Sequence, residues 1–234
     1  MVITMDILKS IYDNYDTIIC LDTETTGLNP KTCQIIDLGV IVMKKINGEI
    51  VITNEINSLI KLQPGNKLPK EIIELTHITP EMLDKEGKTF DDVKNEFVSI
   101  LKNDERKLIA TYNAEFDLSF LRYFLRGYKF SNMAFLDIMT VYKDRAPYPT
   151  KLNAAVTHYN LDDKVINSHR ALDDTYACFE VLKEMSKEKD DIIKYVNLFG
   201  YNPKYGTPKE AIRGVIYKPQ GFLNEFNNKP LYEK

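Results

Sequence analysis

The stretch "IICLDTETTGL", residues 18–28, begins as an apolar run and ends in acids, threonines and a glycine. An apolar, β-branched run of this length is typical of a buried strand. Side chains at i and i+2 share one face of a strand, so Asp22 and Glu24 are predicted to be neighbours at its carboxyl end. Two carboxylates held that close are costly unless a positive charge lies between them.

The composition is that of an ordinary soluble protein. The chain has 234 residues, of which 44% are hydrophobic. One domain of this size buries roughly 70–75% of its unfolded surface. The net charge of −3 gives no global attraction for a polyanion. Binding of nucleic acid would therefore depend on a local basic surface or on bound cations.

The cysteines and the hydropathy pattern predict a cytoplasmic protein without disulfides. Cys20, Cys33 and Cys178 are scattered and form no CxxC motif. This pattern argues against a disulfide framework and against a zinc site. No apolar run approaches the ~20 residues of a membrane span, and the start "MVITMDILKS" lacks the features of a signal peptide. We therefore expect the cytoplasm as its location and no membrane partner.

The opening strand is predicted to start an antiparallel meander. Residues 34–45 and 49–62 are both rich in strand-forming residues, and "NG" at Asn47 and Gly48 separates them. Asn-Gly between two such runs is the strongest short signal for a hairpin.

After the meander, helices alternate with two further strands, which predicts an α/β protein with a mixed sheet and helices packed on it. The predicted elements are two short helical pieces in 68–83, an amphipathic helix in 89–103 with Thr89 as N-cap, a strand at 107–113, a helix from about 115 to 127, a strand at 133–137 entering a further helix, and final helices at about 151–159 and 170–187.

Acidic residues recur where these elements begin. Asp117 lies in the first turns of the helix after the fourth strand, and His169 and Asp174 lie at the start of the last long helix. Active sites of α/β sheets form outside the carboxyl ends of the strands, where Asp22 and Glu24 also end. Carboxylates without cysteine are ligands suited to Mg²⁺ or Mn²⁺. The pattern therefore predicts metal chemistry on a phosphate group.

Each of these residues also has a purely structural explanation. Asp173 and Asp174 are placed to complement the helix dipole, and His169 is placed to cap the helix. Asn113 and Asp117 are compatible with an Asx turn followed by an acid in the first helical turn. The joint order and spacing favour function, because independent structural roles do not predict them.

The segments "LDTETTGL", "YNAEFDLSFL" and "HRALDDTYA", in this order and at these separations, resemble the three motifs of the DEDDh family of 3′→5′ exonucleases. This is the group around the proofreading epsilon subunit of bacterial DNA polymerase III. The resemblance spans about residues 17–185. It implies a ribonuclease-H-like fold, a mixed five-stranded sheet with one antiparallel strand and helices on both faces.

The resemblance also implies catalytic roles. Asp22, Glu24, Asp117 and Asp174 match the metal ligands, which hold two Mg²⁺ or Mn²⁺ ions, and His169 matches the histidine that defines this branch. A two-ion site holds the scissile phosphate between the attacking and leaving oxygens. A histidine with an intrinsic pKa near ~6.5 is suited to accept the proton of the attacking water. Asp173 is one residue short of the motif and should point about 100° away on the helix.

Further positions match residues that contact the substrate. Thr25 and Leu28 match positions at the 3′-terminal nucleotide, and Asn113 matches one that supports the substrate strand. Gly27 lets the chain turn closely. His77 is also assigned to the substrate-contacting residues, at a position where many members carry glycine.

The implied activity is release of nucleoside 5′-monophosphates from single-stranded or frayed 3′ ends of DNA, in proofreading or repair, with a DNA polymerase as a possible partner. An RNase T-like exoribonuclease and a non-catalytic polymerase- or nucleic-acid-binding module remain alternatives. A haloacid-dehalogenase-type phosphatase is disfavoured, because that chemistry requires a second Asp where Glu24 stands.

Two regions are predicted along the chain. Residues 1–187 form the exonuclease domain, and residues 188–234 form a basic and aromatic extension. Tyr, Phe, Lys and Arg mixed with Gly and Pro also occur on surfaces that bind single strands. The favoured interpretation is nevertheless a short β-rich extension whose aromatic side chains pack on the domain.

Overall fold

The computed structural model describes residues 7–128, 132–166, 168–221 and 229–234. Parts of the predicted domain (1–6, 129–131 and 167) and of the predicted extension (222–228) lie outside the described residues. Five strands form one sheet in the order β3-β2-β1-β4-β5, where β1 is Thr17–Thr25, β2 Ile35–Ile46, β3 Glu49–Leu59, β4 Lys107–Thr111 and β5 Met133–Asp137.

The predicted meander and the mixed sheet are confirmed. β1 pairs with β2, and β2 with β3, in antiparallel register, whereas β1 pairs with β4 and β4 with β5 in parallel register. Only β2 therefore runs against the other strands of this sheet. Asn47 and Gly48 both have positive φ, 53° and 89°, as a tight hairpin turn requires.

The helices from α2 onward follow the predicted order, with boundaries shifted by a few residues, whereas the short α1 was not predicted. In chain order they are α1 Lys9–Tyr12, α2 Lys70–Thr76, α3 Pro80–Glu86, α4 Phe90–Leu101, α5 Ala114–Phe124, α6 Ile138–Lys143, α7 Leu152–His158 and α8 Ala171–Glu188.

Alternate side chains of β1 belong to two hydrophobic cores, one on each face of the sheet. Ile18 and Cys20 belong to the core that contains α6, α7 and α8. Ile19 and Leu21 belong to the core that contains α4 and α5 on the opposite face. Helices on both faces are thus confirmed, and the face of Cys20 is the face on which Asp22 and Glu24 continue.

Helix caps explain where several elements begin. The Thr89 side chain accepts a hydrogen bond from the Asp92 N–H, which confirms Thr89 as the N-cap of α4. Strand β4 ends two residues earlier than predicted because Asn113 adopts a left-handed conformation, with φ 67° and ψ 54°. Asparagine tolerates that conformation, and it turns the chain directly into α5.

The C-terminal region packs against the rest of the chain. It contains a 3₁₀ helix, Ile192–Tyr195, and two short parallel strands, β6 Leu198–Tyr201 and β7 Ile216–Pro219. Tyr195 and Phe199 are buried, and each belongs to one of the two hydrophobic cores. The division into a domain of residues 1–187 and an extension stays a prediction.

The cysteines are free thiols, with Cys20 and Cys178 buried and Cys33 half-buried. Among the described helices, none combines the length and the apolar character that a membrane crossing requires.

Candidate active site

The carboxyl end of β1 supplies the first two acids. Asp22 pairs in register with Gly39 of β2, and Glu24 pairs with Asp37. The register shifts between Glu24 and Thr25, which pair with Asp37 and Ile35, so Ile36 is an extra residue on β2 at this end of the pair. Bulges re-aim side chains at sheet ends and are frequent next to active sites.

Asp117 is held from two strands. The hydroxyl of Thr23 donates to Asp117 Oδ1 over 2.7 Å, and the hydroxyl of Thr111 donates to Asp117 Oδ2, also over 2.7 Å. Thr23 lies on β1 and Thr111 ends β4, so both strands fix the orientation of this carboxylate. Asp117 is 2% exposed.

The start of α5 is capped from the end of β5. Asp137 Oδ1 accepts hydrogen bonds from the backbone N–H groups of Asn113, at 3.0 Å, and Ala114, at 3.1 Å. The same side chain accepts from the Thr140 hydroxyl at 2.6 Å at the start of α6. One buried carboxylate thereby positions the first turns of two helices.

The start of α8 supplies the remaining predicted residues. His169 is exposed and has a left-handed backbone with φ 56°, whereas Asp174 is buried one turn into the helix. Asp173 does not line the pocket described below, and it accepts a hydrogen bond from the Ser168 hydroxyl at 2.6 Å.

These residues surround one pocket of about 380 Å³. Ligand atoms of Glu24, His169 and Asp174 lie within 4.8 Å of one another. The structure therefore brings together in one pocket the acids and the histidine predicted from three separate motifs, with Asn113 beside them. The predicted residues that line it are Asp22, Glu24, Asn113, Asp117, His169 and Asp174.

Burial and mutual repulsion make these carboxylates hard to ionise. Burial, followed by repulsion from Asp174, raises the pKa of Glu24 to about 8. Burial, followed by repulsion from Asp173, raises the pKa of Asp174 to about 7. Burial and the nearby Asp117 raise the pKa of Asp22 well above its ordinary value. Burial also raises the pKa of Asp117, although the two threonine hydroxyls oppose that shift.

The donor set fits divalent cations. Asp174 Oδ1 is buried and has no hydrogen-bond partner among the described residues. A buried carboxylate oxygen without a partner is costly, and a cation bound to it removes that cost. Carboxylate oxygens with one imidazole nitrogen are hard or borderline ligands of the type that Mg²⁺ and Mn²⁺ accept.

Of the predicted substrate contacts, Asn113 lines the pocket, whereas the others do not: Thr25, Gly27, Leu28 and His77. The Thr25 hydroxyl donates to the Gly27 carbonyl oxygen at 2.7 Å, and Leu28 is 85% exposed. A Cβ on Gly27 would lie 2.9 Å from Cys33 Sγ, which explains why glycine permits this close turn. His77 ends α2 with a left-handed backbone, φ 57°, and does not line the pocket. The roles assigned to these residues stay predictions.

Sequence reasoning missed several residues of the site. Lys151 lines the pocket and is exposed, and its ammonium group makes no hydrogen bond or ion pair with the described residues. The Tyr112 hydroxyl donates to the Thr150 carbonyl oxygen at 2.9 Å, which ties this segment to the end of β4. Lysine before a short helix carries no distinctive sequence signal, so only the tertiary structure identifies Lys151.

Comparison with known protein families and sequences gives consistent matches. A sequence model of the family described as "Exonuclease" (RNase_T) matches residues 19–182. The chain is 33% identical over 172 residues to a PolC-type DNA polymerase III of Thermotoga petrophila, over 70% of this chain and 11% of the polymerase. It is 26% identical over 215 residues to DNA polymerase III subunit epsilon of Rickettsia prowazekii, over 86% of this chain and 89% of that subunit. The matches to three PolC-type polymerases span 11% to 13% of their lengths.

Solved structures share the fold at low sequence identity. The nuclease domain of 3′hExo, described as a DEDDh family member bound to rAMP, aligns with TM-score 0.63 and 21% identity over 76% of this chain and 96% of that one. Exonuclease I of E. coli in complex with a dA16 oligonucleotide aligns with TM-score 0.66 and 19% identity, over 77% of this chain and 42% of that one.

Proposed function

This chain belongs to the exonuclease family, and on that premise we propose that it is a metal-dependent 3′→5′ exonuclease acting on DNA. The resemblance to the DEDDh and epsilon-type exonucleases drawn from its three motifs is confirmed. The observation that carries the proposal is the approach of Glu24, His169 and Asp174 ligand atoms to within 4.8 Å in one pocket.

Four carboxylates would hold the cations. Glu24 and Asp174 present oxygens to the same point, and Asp22 and Asp117 line the same pocket. Divalent cations bound there would offset the carboxylate repulsion, polarise the scissile phosphate and lower the pKa of a water molecule. The threonine hydroxyls on Asp117 keep its carboxylate in a fixed orientation.

In this proposal His169 accepts the proton during hydrolysis at the end of the strand. His169 is exposed at the pocket, where its imidazole accepts the proton of the attacking water. A bond forms between the water oxygen and phosphorus, and the bond from phosphorus to the 3′-oxygen of the preceding nucleotide breaks. That oxygen takes up a proton, so the products are a nucleoside 5′-monophosphate and a strand with a new 3′-hydroxyl.

Lys151 gives the pocket a positive charge for its polyanionic substrate. Its ammonium group is not paired with any described carboxylate. A free lysine beside the acids can therefore contact a non-bridging phosphate oxygen of the strand. Exposed Leu28 stands where the resemblance places a contact with the terminal bases.

The similarity to an epsilon subunit over most of both chains supports a role in DNA proofreading and a DNA polymerase partner. RNA stays the alternative substrate, because sugar selection depends on contacts to the 2′-position. Mg²⁺ as the physiological ion and the cytoplasm as the location also stay predictions.

The deciding experiment measures the shortening of 3′- and 5′-labelled single-stranded DNA and RNA, and of duplexes with paired or mismatched 3′ ends, in Mg²⁺, Mn²⁺ or chelator. We expect cation-dependent loss of 5′-monophosphates from the 3′ end of DNA, faster at mismatched ends. Asp22→Asn should abolish the reaction, and Asp163→Asn, which changes an exposed acid, should not. If neither polymer is shortened from its 3′ end, the proposed function is wrong.

A further inference from the structure

Strand β2 carries two residues directly opposite the acids of β1. Asp37 is the register partner of Glu24, and Gly39 is the register partner of Asp22. Register partners on neighbouring strands point to the same face of the sheet. Asp37 and Gly39 therefore lie on the face that carries the pocket, beside its metal-ligand candidates.

The first turn of α8 rests on these two β2 residues. A Cβ on Gly39 would lie only 2.3 Å from the Ala171 carbonyl carbon, so the helix start touches the strand backbone. The Thr175 hydroxyl lies between two carbonyl oxygens that can accept its proton, that of Ala171 at 2.7 Å and that of Gly39 at 3.1 Å. Asp37 Oδ2 accepts from Arg170 Nε at 2.9 Å and from the Ala171 N–H at 3.3 Å.

These bonds hold the two residues that directly follow His169. His169 has φ 56°, a conformation that a residue other than glycine keeps only when its surroundings enforce it. Asp37 binds Arg170 and Ala171 and therefore fixes the direction in which the chain leaves His169.

Stability alone does not explain a charge at position 37. Asp37 is 0% exposed, and its Oδ1 has no hydrogen-bond partner among the described residues. Desolvation of the buried Asp37 carboxylate offsets much of its attraction to Arg170, whose side chain is 35% exposed, so the pair adds little net stability. A role in fixing the geometry of His169 explains the carboxylate of Asp37 better than stability does.

We propose that Asp37 is a positioning residue, which orients His169 and the first turn of α8 over the pocket through Arg170 and Ala171. The inference rests on the proposed function where it is tested by enzyme kinetics. Where it is tested by the NMR signals of the histidines, it depends on the fold alone. Asp37 itself does not line the pocket, so it acts through its neighbours rather than on the substrate.

The test compares Asp37→Asn with a matched control. Asp191 is also a buried carboxylate paired with an arginine, at 2.6 Å from Arg145 Nη2, and it lies away from the pocket. Arg145 contacts only the C-terminal part of α8, at Met185 and Glu188, so Asp191→Asn removes an ion pair without touching the first turn of α8. Displacement of a catalytic group by about 1 Å can cost about 100-fold in rate. We expect Asp37→Asn to lower kcat about 10- to 100-fold with KM changed less than about threefold, and Asp191→Asn to leave both unchanged.

A second readout is independent of catalysis. The chain has three histidines, so the imidazole resonances can be assigned in a ¹H–¹⁵N spectrum. Asp37→Asn should shift the His169 resonances and leave those of His77 and His158 in place. Arg170→Lys changes the half-exposed partner, is expected to fold, and should move the His169 resonances in the same direction.

The two hypotheses fail in different ways. Unshifted His169 resonances in Asp37→Asn and Arg170→Lys would refute the positioning role, and so would an equal loss of kcat in Asp191→Asn. A wild-type protein without nuclease activity, but with shifted His169 resonances in both variants, would refute the proposed function and leave the positioning role supported.

Discussion

Removal of one active-site acid should stabilise the metal-free protein, and increasingly so as the pH rises. Asp174 is 6% exposed, and its pKa is raised from the ordinary 3.8 to about 7. Between these values the native state binds more protons than the unfolded chain. The free energy of unfolding therefore falls as the pH rises through this window. Asn at position 174 cannot ionise, so Asp174→Asn escapes this loss.

The size of the effect follows from the shift. One pKa unit corresponds to about 1.4 kcal/mol, so full ionisation of Asp174 costs the fold at most about 4 kcal/mol above its folded pKa. At about pH 5.5 the same relation gives a destabilisation of the wild type by Asp174 of about 2 kcal/mol. The advantage of the variant should therefore grow by up to about 2 kcal/mol between about pH 5.5 and about pH 8.5. For a chain of this length that is a growth of about 4–8 °C in Tm difference.

The assay is thermal unfolding in chelator at both pH values, for the wild type, Asp174→Asn and Asp163→Asn. Asp163 is exposed, so its variant should track the wild type at both pH values. Asp174→Asn should unfold at a higher temperature than the wild type at about pH 8.5 and should lack nuclease activity. A Tm advantage that stays constant or shrinks as the pH rises would refute the argument from buried charge.

Three further outcomes follow from the site. Mg²⁺ or Mn²⁺ should raise the wild-type Tm more at about pH 8.5 than at about pH 5.5, because protons compete with the ion for the same carboxylates. Calorimetry with and without the ion measures the rise in Tm, and equal rises at the two pH values would contradict the prediction. Lys151→Ala should weaken DNA binding and reduce the slope of log K for DNA binding against log salt concentration by about 1. An unchanged slope would contradict a contact between Lys151 and a phosphate. Thr111→Val leaves Asp117 Oδ2 without its donor and should cost about 1–3 kcal/mol of stability in denaturant unfolding. The near-neutral control is Thr53→Val on the edge strand β3, where the hydroxyl of this exposed residue makes only a 3.3 Å bond to the Val42 carbonyl oxygen.

The fold was predictable because its elements carry strong local patterns. The Asn47–Gly48 turn and the alternation along residues 17–25 both specify structure within a few residues of the chain. The same two-residue period correctly placed Asp22 and Glu24 on one face. Element ends were less predictable, since the left-handed turn at Asn113 depends on hydrogen bonds to Asp137, which lies on another strand.

The site was predictable only where motifs carry it. The joint spacing of three segments indicated Asp117, His169 and Asp174, and their convergence needs the packing of α8 on β1 and β2. The supporting residues could not be predicted, because their roles depend on distant partners. In the sequence Thr111 is an ordinary strand residue, and only the fold places its hydroxyl 2.7 Å from Asp117. Asp37 is an isolated acid in the sequence, and only the packing of α8 brings Arg170 to it.

The meander of β1, β2 and β3 has one end that tolerates length changes and one that does not. Loss of Leu21 would exchange the two faces of the strand end and place Thr23 and Thr25 where Asp22 and Glu24 belong. At the opposite end, a Cβ on Gly48 would meet no atom within 4 Å. The turn at Asn47 and Gly48 is therefore a suitable position for inserting a fluorophore site or an affinity tag into this protein while the cation-binding end stays intact.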